Sequence, residues 1–488
     1  MKILLVEPKS STTYPPMGLM KLSRYHKLLE DDVLYVVGKN KEACFKFWDK
    51  VYVTSVFTYD YKHLIDTVKY YSGNLFNFGN MVVGGVAATL LSDKVEKETG
   101  VKVHQGLLNQ HDSKLEELAK SNSEYAYLLK AGCTIDNLPP DYDIVADNTK
   151  YSKIIDNSFF MYSTKGCPNK CAFCAVRKLE PKYVDYIPIK PRIEILRSEV
   201  GDRAGLLLLD NNIAASDTFF QIIDEIKDSG YAANEKMVYQ KNGRTIYKKR
   251  FVDFNQGVDL RLLDEEKMKA LATIAIDPLR LAFDDISLAD QYIEKTCLAI
   301  SCGIKRLSNY MLFNFKDKPE DLYKRMEINT QIIKDHQDEN VKIFSFPMRY
   351  SPIDQTNRSY IGKHWTKREI RAVQLILQAT HGIVSHSLSQ DQGGKGYFYR
   401  AFGGSEREFC EILWMPYHYI VNRDLYEYKN TNINDWKTLF KNIKSDQFDE
   451  LKLVLSCGRY QGSANHSSSL INKILEHYVG EHTVVVRK

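Results

Sequence analysis

Three closely spaced cysteines, Cys167, Cys171 and Cys174, are the feature that most constrains what this chain can fold into. The residues before them, 159–166, have the composition of a buried strand, which predicts a strand that runs directly into a cysteine loop. Thiolates separated by three and then two residues can wrap a short loop around one [4Fe–4S] cluster. Three protein ligands leave the fourth iron free for another molecule. The loop therefore predicts an iron–sulfur site that is open to a ligand.

A zinc knuckle is the alternative interpretation of this loop. Structural zinc sites take four nitrogen or sulfur ligands, usually as two paired spacings. The sequence has no second Cys-x2-Cys, and no histidine lies between His111 and His336. The spacing therefore favours an iron–sulfur cluster.

Composition is typical of a cytoplasmic globular protein. The 488 residues are enough for about three domains, and a hydrophobic content of 44% is ordinary. The N-terminal apolar run is too short for a signal peptide, and no run of about 18 apolar residues occurs, so no membrane partner is expected. Nine cysteines, three of them in one loop, fit a reducing compartment in which clustered thiolates bind metals.

The cysteine pattern, with Phe173 directly before the last cysteine, resembles the radical S-adenosylmethionine (SAM) superfamily. The resemblance implies that Cys167, Cys171 and Cys174 hold a [4Fe–4S] cluster, and that the amino and carboxylate groups of SAM chelate its free iron. It also implies reductive cleavage of SAM to methionine and a 5′-deoxyadenosyl radical, with an electron donor such as flavodoxin or ferredoxin. The substrate does not follow from the sequence.

Residues 1–150 alternate short apolar runs with helical patterns, which predicts a doubly wound parallel sheet. Three stretches, 15–19, 82–85 and 138–143, resemble the cobalamin-binding-type (Rossmann-like) domain that precedes many radical SAM barrels. This segment lacks Asp-x-His-x-x-Gly, so it offers no histidine as lower axial ligand to cobalt. Bound cobalamin and a degenerate sheet without cofactor both remain open.

Residues 151–355 repeat the order strand, helix, strand, and the resemblance implies a six-stranded partial (β/α) barrel. The predicted strands are 159–166, 205–209, 252–256, 279–283, 309–315 and 342–346. Polar residues at the C-terminal ends of such strands face the mouth of a barrel. The candidate cofactor-binding residues at these ends, besides Phe173 in the cysteine loop, are Asp210, Asn211, Asn212, Asn255, Gln256, Asp284 and Arg349.

Residues 210–212 occupy the position where the family holds the amino group of SAM. A carboxylate can accept hydrogen bonds from an ammonium group, and the two amides supply neutral donors and acceptors. The family's commoner Gly-Gly-Glu is absent, so the assignment among Asp210, Asn211 and Asn212 stays open. Asp210 and Asp285 could instead cap helices, because aspartate is a favoured cap.

A basic hairpin is predicted at 236–250, because Asn242-Gly243 lies between two alternating runs. It carries six positive charges around Tyr239 and Tyr247. Such a segment could track a phosphate backbone and stack a base, so nucleic acid is a possible partner. The alternative is a solvated edge that lysines protect from aggregation.

Residues 356–488 are predicted to be mainly helical, with a polar glycine-rich loop at 387–396 that could act as a lid. Two functions compete within the radical SAM class: hydrogen abstraction without cobalamin, and cobalamin-dependent methyl transfer. Methylthio transfer is disfavoured, because the N-terminal domain offers only Cys44 and Cys133 for a second cluster. The alternative of another class is a noncatalytic iron–sulfur or zinc protein that binds nucleic acid.

Overall fold

The structure is a computed structural model that describes most of the chain. The described residues are 1–73, 78–386, 397–422, 431–457 and 468–479. The glycine-rich loop predicted at 387–396 lies outside them. Within this described part, no helix is long and apolar enough to cross a membrane.

The chain divides into two compact units, each an α/β structure with parallel strand pairs. The first comprises Met1–Arg280 with the short segments Ser301–Ile304 and Ser351–Ser359. The remaining described residues form the second. The α/β class predicted from the sequence is confirmed, whereas the division near residues 150 and 355 stays a prediction.

The first unit contains two parallel sheets and a separate hairpin, connected by helices. Its strands are β1 (Lys2–Glu7), β2 (Asp32–Val37), β3 (Lys50–Thr54), β4 (Met81–Gly84), β5 (Ser158–Met161), β6 (Gly205–Leu208), β7 (Lys236–Lys241), β8 (Arg244–Lys249) and β9 (Phe251–Phe254). Its helices are α1 (Met17–Leu28), α2 (Lys41–Cys44), α3 (Tyr61–Ser72), α4 (Val86–Leu90), α5 (Ser92–Thr99), α6 (Ser113–Ser121), α7 (Leu128–Ala131), α8 (Thr149–Ile155), α9 (Val176–Leu179), α10 (Lys190–Val200), α11 (Phe219–Ile226) and α12 (Glu265–Ala272).

The N-terminal sheet has the strand order β2-β1-β3-β4, and its pairs are parallel. Both faces of β1 are buried: Leu4 and Val6 pack in one apolar cluster, whereas Ile3 and Leu5 pack in another with residues of α1. Burial on both faces explains why β1 has a continuous apolar sequence. The strand order reverses between β1 and β3, and open α/β sheets bind ligands beyond the carboxyl ends of strands at such a point.

The second sheet of this unit has the order β5-β6-β9, again with parallel pairs. All four residues of β6 are buried. Gly205, its first residue, has no room for a side chain: a Cβ there would lie 2.3 Å from the Phe251 ring and 2.4 Å from Ser158 Oγ. A larger residue would therefore push the three strands apart.

Strand β5 is shorter than predicted, because it ends at Met161 instead of continuing to Gly166. Beyond β5, the Asp210 carboxylate accepts from the backbone N–H groups of Ser163 and Thr164. These N–H groups thus donate to the Asp210 side chain instead of to a neighbouring strand. The chain therefore leaves the sheet before the cysteine loop.

The hairpin is confirmed. Strands β7 and β8 pair in antiparallel register around a two-residue turn. Asn242 and Gly243 have positive φ angles of 51° and 72°, as a type I′ turn requires.

The second unit holds the remaining strands and the C-terminal helices. Its strands are β10 (Leu279–Ala282), which crosses the boundary from the first unit, β11 (Arg306–Phe313), β12 (Lys342–Arg349) and β13 (Val384–Ser385). Its helices are α13 (Ala289–Ser301), α14 (Pro319–Asp335), α15 (Lys367–Ala379), α16 (Tyr397–Phe402), α17 (Glu406–Trp414), α18 (Tyr417–Asn422), α19 (Thr431–Lys441), α20 (Ser445–Cys457) and α21 (Ser469–Glu476). The sheet order is β10-β11-β12-β13, with β11 and β12 parallel and β13 antiparallel to β12.

A chain of buried polar groups connects this sheet to α14. His386 is fully buried; its Nε2 hydrogen-bonds with Ser345 Oγ at 2.7 Å, and its Nδ1 with Thr330 Oγ1 at 3.2 Å. Asn329 Nδ2 donates to the same Ser345 hydroxyl at 3.0 Å. Burial lowers the pKa of His386 from 6.5 to about 3, so the imidazole is neutral in the folded protein.

We expect His386 to make folding stability fall as the pH drops below about 6.5. The unfolded chain gains a proton there and the folded chain does not, so stability is lost between the unfolded pKa of 6.5 and the folded pKa of about 3. At pH 5 the loss is about 2 kcal/mol. Urea unfolding of the parent and of His386→Gln at pH 7 and pH 5 measures it, because the variant lacks this proton. An equal pH dependence in both proteins would contradict the assignment.

Candidate cofactor-binding site

The candidate site lies at the carboxyl edge of the β5-β6-β9 sheet. Because parallel strands end at the same edge of a sheet, the segments that follow them meet there. The cysteine loop with Phe173 follows β5, residues Asp210–Asn212 follow β6, and Asn255 and Gln256 follow β9. Phe173 is partly exposed on the loop.

No disulfide joins the three cysteines of the loop, and each of them is partly exposed. The Cys174 N–H donates to the Cys171 carbonyl at 3.2 Å, which closes a turn within the loop. Asn212 Nδ2 donates to Cys167 Sγ at 3.5 Å, and the Arg261 guanidinium interacts with the Cys171 thiol. Hydrogen bonds to sulfur tune the reduction potential of an iron–sulfur cluster. The segments after β6 and β9 thus supply polar neighbours for two of the three thiols.

Asp210 ties the start of the cysteine loop to the end of β6. Its Oδ1 accepts from the backbone and hydroxyl groups of Ser163 and Thr164, with the two hydroxyl contacts at 2.8 Å. The carboxylate is fully buried, and burial raises its pKa although these four hydrogen bonds favour the ionised form. Its other oxygen, Oδ2, is buried without a hydrogen-bond partner. A buried carboxylate with one unsatisfied oxygen is suited to receive a cation.

The helix-cap alternative fits Asp285 and not Asp210. Asp285 precedes the short 3-10 turn Ile286–Leu288 and accepts from the Ser287 N–H at 2.9 Å. The hydrogen bonds to Asp210 come instead from the segment after β5.

Asn212 joins the cysteine loop to the segment after β9. It is buried, and its Nδ2 donates to Cys167 and, at 3.3 Å, to Asp259 Oδ2. Asp259 also accepts from Asn169 Nδ2 at 2.7 Å and from Arg261 Nη2 at 2.8 Å. Although burial opposes it, the hydrogen bonds from Arg261 and Asn169 lower the pKa of Asp259. The amide oxygen of Asn212 is a second buried atom without a hydrogen-bond partner.

Asn211 contacts the far end of the cysteine loop. Its Nδ2 donates to Glu180 Oε2 at 2.8 Å, and the same oxygen accepts from the Gly166 N–H at 2.6 Å. Sequence reasoning missed Glu180 because it follows no strand and belongs to no motif.

Asn255 connects the site to the N-terminal sheet. Its Nδ2 donates at 3.0 Å to the hydroxyl of Tyr14, which lies in the loop after β1. Gln256 is exposed, and its Nε2 donates to Asn255 Oδ1 at 3.4 Å. The loop after β1 therefore reaches the end of β9.

Asp284 and Arg349 belong to the second unit, where each has partners of its own. Asp284 Oδ1 accepts from the Leu312 N–H at 2.9 Å, and Arg349 Nη2 donates to the Tyr360 carbonyl at 3.0 Å. These contacts order the ends of β10 and β12.

A buried ion network includes Lys165, which lies two residues before Cys167. Asp136 accepts from Lys21 Nζ at 2.9 Å through Oδ1 and lies 2.7 Å from Lys165 Nζ through Oδ2. Lys165 lies 3.6 Å from the centre of the Tyr162 ring. Burial lowers the pKa of Lys21 to about 8, whereas the two lysines outweigh burial and lower the pKa of Asp136. Sequence reasoning did not find this network, because its members are far apart along the chain.

The loop has the donor set of an iron–sulfur site, although its sulfurs are not gathered into a metal-binding group. In the described part of the chain, no three Cys, His, Asp or Glu side chains are arranged to hold a metal ion. The thiols are not in disulfides, share one short loop, and have the spacing that a cluster needs. The donor chemistry therefore fits a cluster, and its binding stays a prediction.

The N-terminal sheet has a small open cleft at the switch point between β1 and β3. Glu7, Ser10 and Tyr14 line it from β1 and the loop that follows, and Thr54 and Ser55 line it from the end of β3. No histidine is among its described lining residues. The cleft therefore offers no axial histidine to cobalt, and cobalamin binding stays a prediction.

The site thus combines three thiols with two unsatisfied buried oxygens, from Asp210 and Asn212. Thiolates are ligands for soft metals, and the oxygens can accept hydrogen bonds from an ammonium or hydroxyl group of a ligand. Among known proteins, neither a protein-family model nor a curated sequence matches this chain.

Proposed function

We propose that this protein is a radical SAM enzyme. One observation supports the proposal most. The loop with three thiols and the unsatisfied oxygens of Asp210 and Asn212 lie at the same edge of one sheet. When bound, a [4Fe–4S] cluster would supply the electron that cleaves SAM to methionine and a 5′-deoxyadenosyl radical.

The protein residues of this proposal hold ligands and do not react themselves. Cys167, Cys171 and Cys174 hold the cluster, and Asp210 Oδ2 accepts from the amino group of SAM. Arg261 and Asn212 place hydrogen-bond donors near the thiols. A six-stranded partial barrel built from β5, β6 and β9 to β12 is part of the proposal, and the strand–helix alternation of the chain supports it. A reduced flavodoxin or ferredoxin would be the electron donor.

The test is anaerobic incubation of iron-reconstituted protein with SAM and a reductant, followed by chromatography for 5′-deoxyadenosine. We expect 5′-deoxyadenosine and methionine in equal amounts. A noncatalytic iron–sulfur or zinc protein would release neither product, and that result would reject the proposal. An absorbance spectrum of the anaerobically purified protein would show whether cobalamin is also bound.

Replacing Asp210 by alanine is expected to weaken SAM binding roughly ten- to a hundredfold. The reason is the loss of a charge-assisted hydrogen bond, which is worth about 1.5–3 kcal/mol. The same variant should be less stable, because the Ser163 and Thr164 donors lose their acceptor. Asp210→Asn retains an oxygen for these donors and removes the charge, so it should lose affinity with less loss of stability.

A SAM titration by calorimetry, paired with a thermal melt, measures both effects. Asp285→Ala is the matched control: losing a turn cap should lower stability by about 1 kcal/mol and leave SAM affinity unchanged. Normal SAM affinity in both Asp210 variants would transfer the role to Asn211 or Asn212.

A further inference from the structure

We propose that the β7-β8 hairpin is a binding arm for single-stranded nucleic acid. The hairpin forms a two-stranded sheet of its own. Almost all of its residues are exposed, and only Met237 and Ile246 are partly buried. Isolated two-stranded hairpins are marginally stable in water, so an exposed one gains from a partner.

The charge of the arm is entirely positive. Residues 236–249 contain five lysines and arginines and no aspartate or glutamate. Arg250, the sixth cation of the predicted hairpin, is buried and paired with Asp202 at 2.6 Å, so it is not part of the exposed arm. Lys249 is paired with Asp277 at 3.1 Å.

The other four cations of the arm have no ion-pair partner among the described residues. They are Lys236, Lys241, Arg244 and Lys248. Two cross-strand pairs also place like charges directly opposite each other, Lys236 with Lys249 and Lys241 with Arg244. Such pairs are destabilising on their own. A polyanion that lies along the ribbon would remove this repulsion.

Aromatic side chains accompany the charges. Tyr247 is 65% exposed and Tyr239 is 37% exposed. The register pairs Tyr239 with Ile246, between the Met237–Lys248 and Lys241–Arg244 pairs on the same face. An exposed tyrosine flanked by unpaired cations matches the site that stacks a base while binding the adjacent phosphates.

A protected sheet edge explains these residues less well. Lysines protect a sheet edge from pairing with other chains. Edge protection does not explain why Val238 is 55% exposed and its cross-strand partner Tyr247 is 65% exposed. It also gives no reason to exclude acidic residues, which would relieve the like-charge pairs. A single strand is the matching occupant, because its bases are free to stack on tyrosine whereas those of a duplex are not.

The experiment measures binding of the full-length protein to a labelled single-stranded oligonucleotide of mixed sequence at several salt concentrations. The arm variant is Lys236→Gln, Lys241→Gln, Arg244→Gln and Lys248→Gln in one chain. Its control is Lys62→Gln, Lys97→Gln, Lys102→Gln and Lys130→Gln, which neutralises four exposed lysines elsewhere in the first unit. Both variants lower the formal net charge from +5 to +1 (5 − 4).

We expect the parent and the control to bind alike and the arm variant to bind at least about tenfold more weakly. The slope of log affinity against log salt should fall by about 0.7 per lost phosphate contact. Tyr239→Ala should weaken binding roughly five- to a hundredfold, because it removes the stacking surface between the unpaired cations. Thermal melts verify that all variants are folded.

Four results would overturn the proposal. They are no binding by the parent, equal weakening in the arm variant and the control, unchanged affinity in Tyr239→Ala, and binding of a duplex as tightly as of a single strand.

Discussion

Replacing Cys167, Cys171 and Cys174 together by alanine is expected to abolish the iron–sulfur cluster of anaerobically reconstituted protein. These are the clustered thiolates of the chain, and the loss of all three removes every predicted protein ligand. Iron and sulfide content, with the visible absorption of the cluster, measures the result. Production of 5′-deoxyadenosine should disappear with the cluster, because SAM would no longer be reduced.

The matched control replaces three other partly exposed cysteines, Cys297, Cys302 and Cys410, by alanine. This variant should keep the full iron content, since these thiols share no short loop. A thermal melt of both variants separates loss of the cluster from loss of the fold. Full iron content in the first variant would reject the ligand assignment and with it the radical SAM proposal.

Replacing Asp136 by alanine is expected to destabilise the folded protein by about 3–5 kcal/mol. Lys21 is 3% exposed and Lys165 is 2% exposed, and both use Asp136 as their counter-ion. Removing the carboxylate leaves two ammonium groups buried without a negative charge between them. Breaking a buried ion pair from one side is far more damaging than losing a surface pair.

Urea unfolding at neutral pH measures this loss. The control is Asp66→Ala, which removes an exposed carboxylate from α3 and should change stability by less than about 0.5 kcal/mol. If Asp136→Ala were as stable as that control, the two lysines would have another counter-ion, and the network would not hold the segment before the cysteine loop.

Local patterns predicted much of the secondary structure. Apolar periodicity predicts strands at 3–6, 33–37, 51–53 and 81–85 and helices at 17–29 and 61–71. Strands β1 to β4 and helices α1 and α3 lie within one or two residues of these bounds, because periodicity and turn residues act over short distances. The hairpin turn was equally predictable, since Asn242 and Gly243 accept the positive φ angles of a type I′ turn. Helices α17 and α20 were not predicted individually within the region expected to be helical.

The contacts of the candidate site were less predictable than its location. Strand endings indicated Asp210, Asn212 and Asn255, because side chains that follow parallel strands share an edge. Glu180 gave no such signal, since its partners, Gly166 and Asn211, are 14 and 31 residues away.

The sequence by itself determined the α/β class, the parallel N-terminal sheet and the position of the three thiols in one loop, because each depends on neighbouring residues. Only the tertiary structure decided which charges are compensated. Asp136 receives two lysines from distant segments, and Lys249 and Arg250 are paired while the cations beside them are not. The physical reason is that an ion pair requires proximity in space, and the packing of separate elements, not their local sequence, creates that proximity.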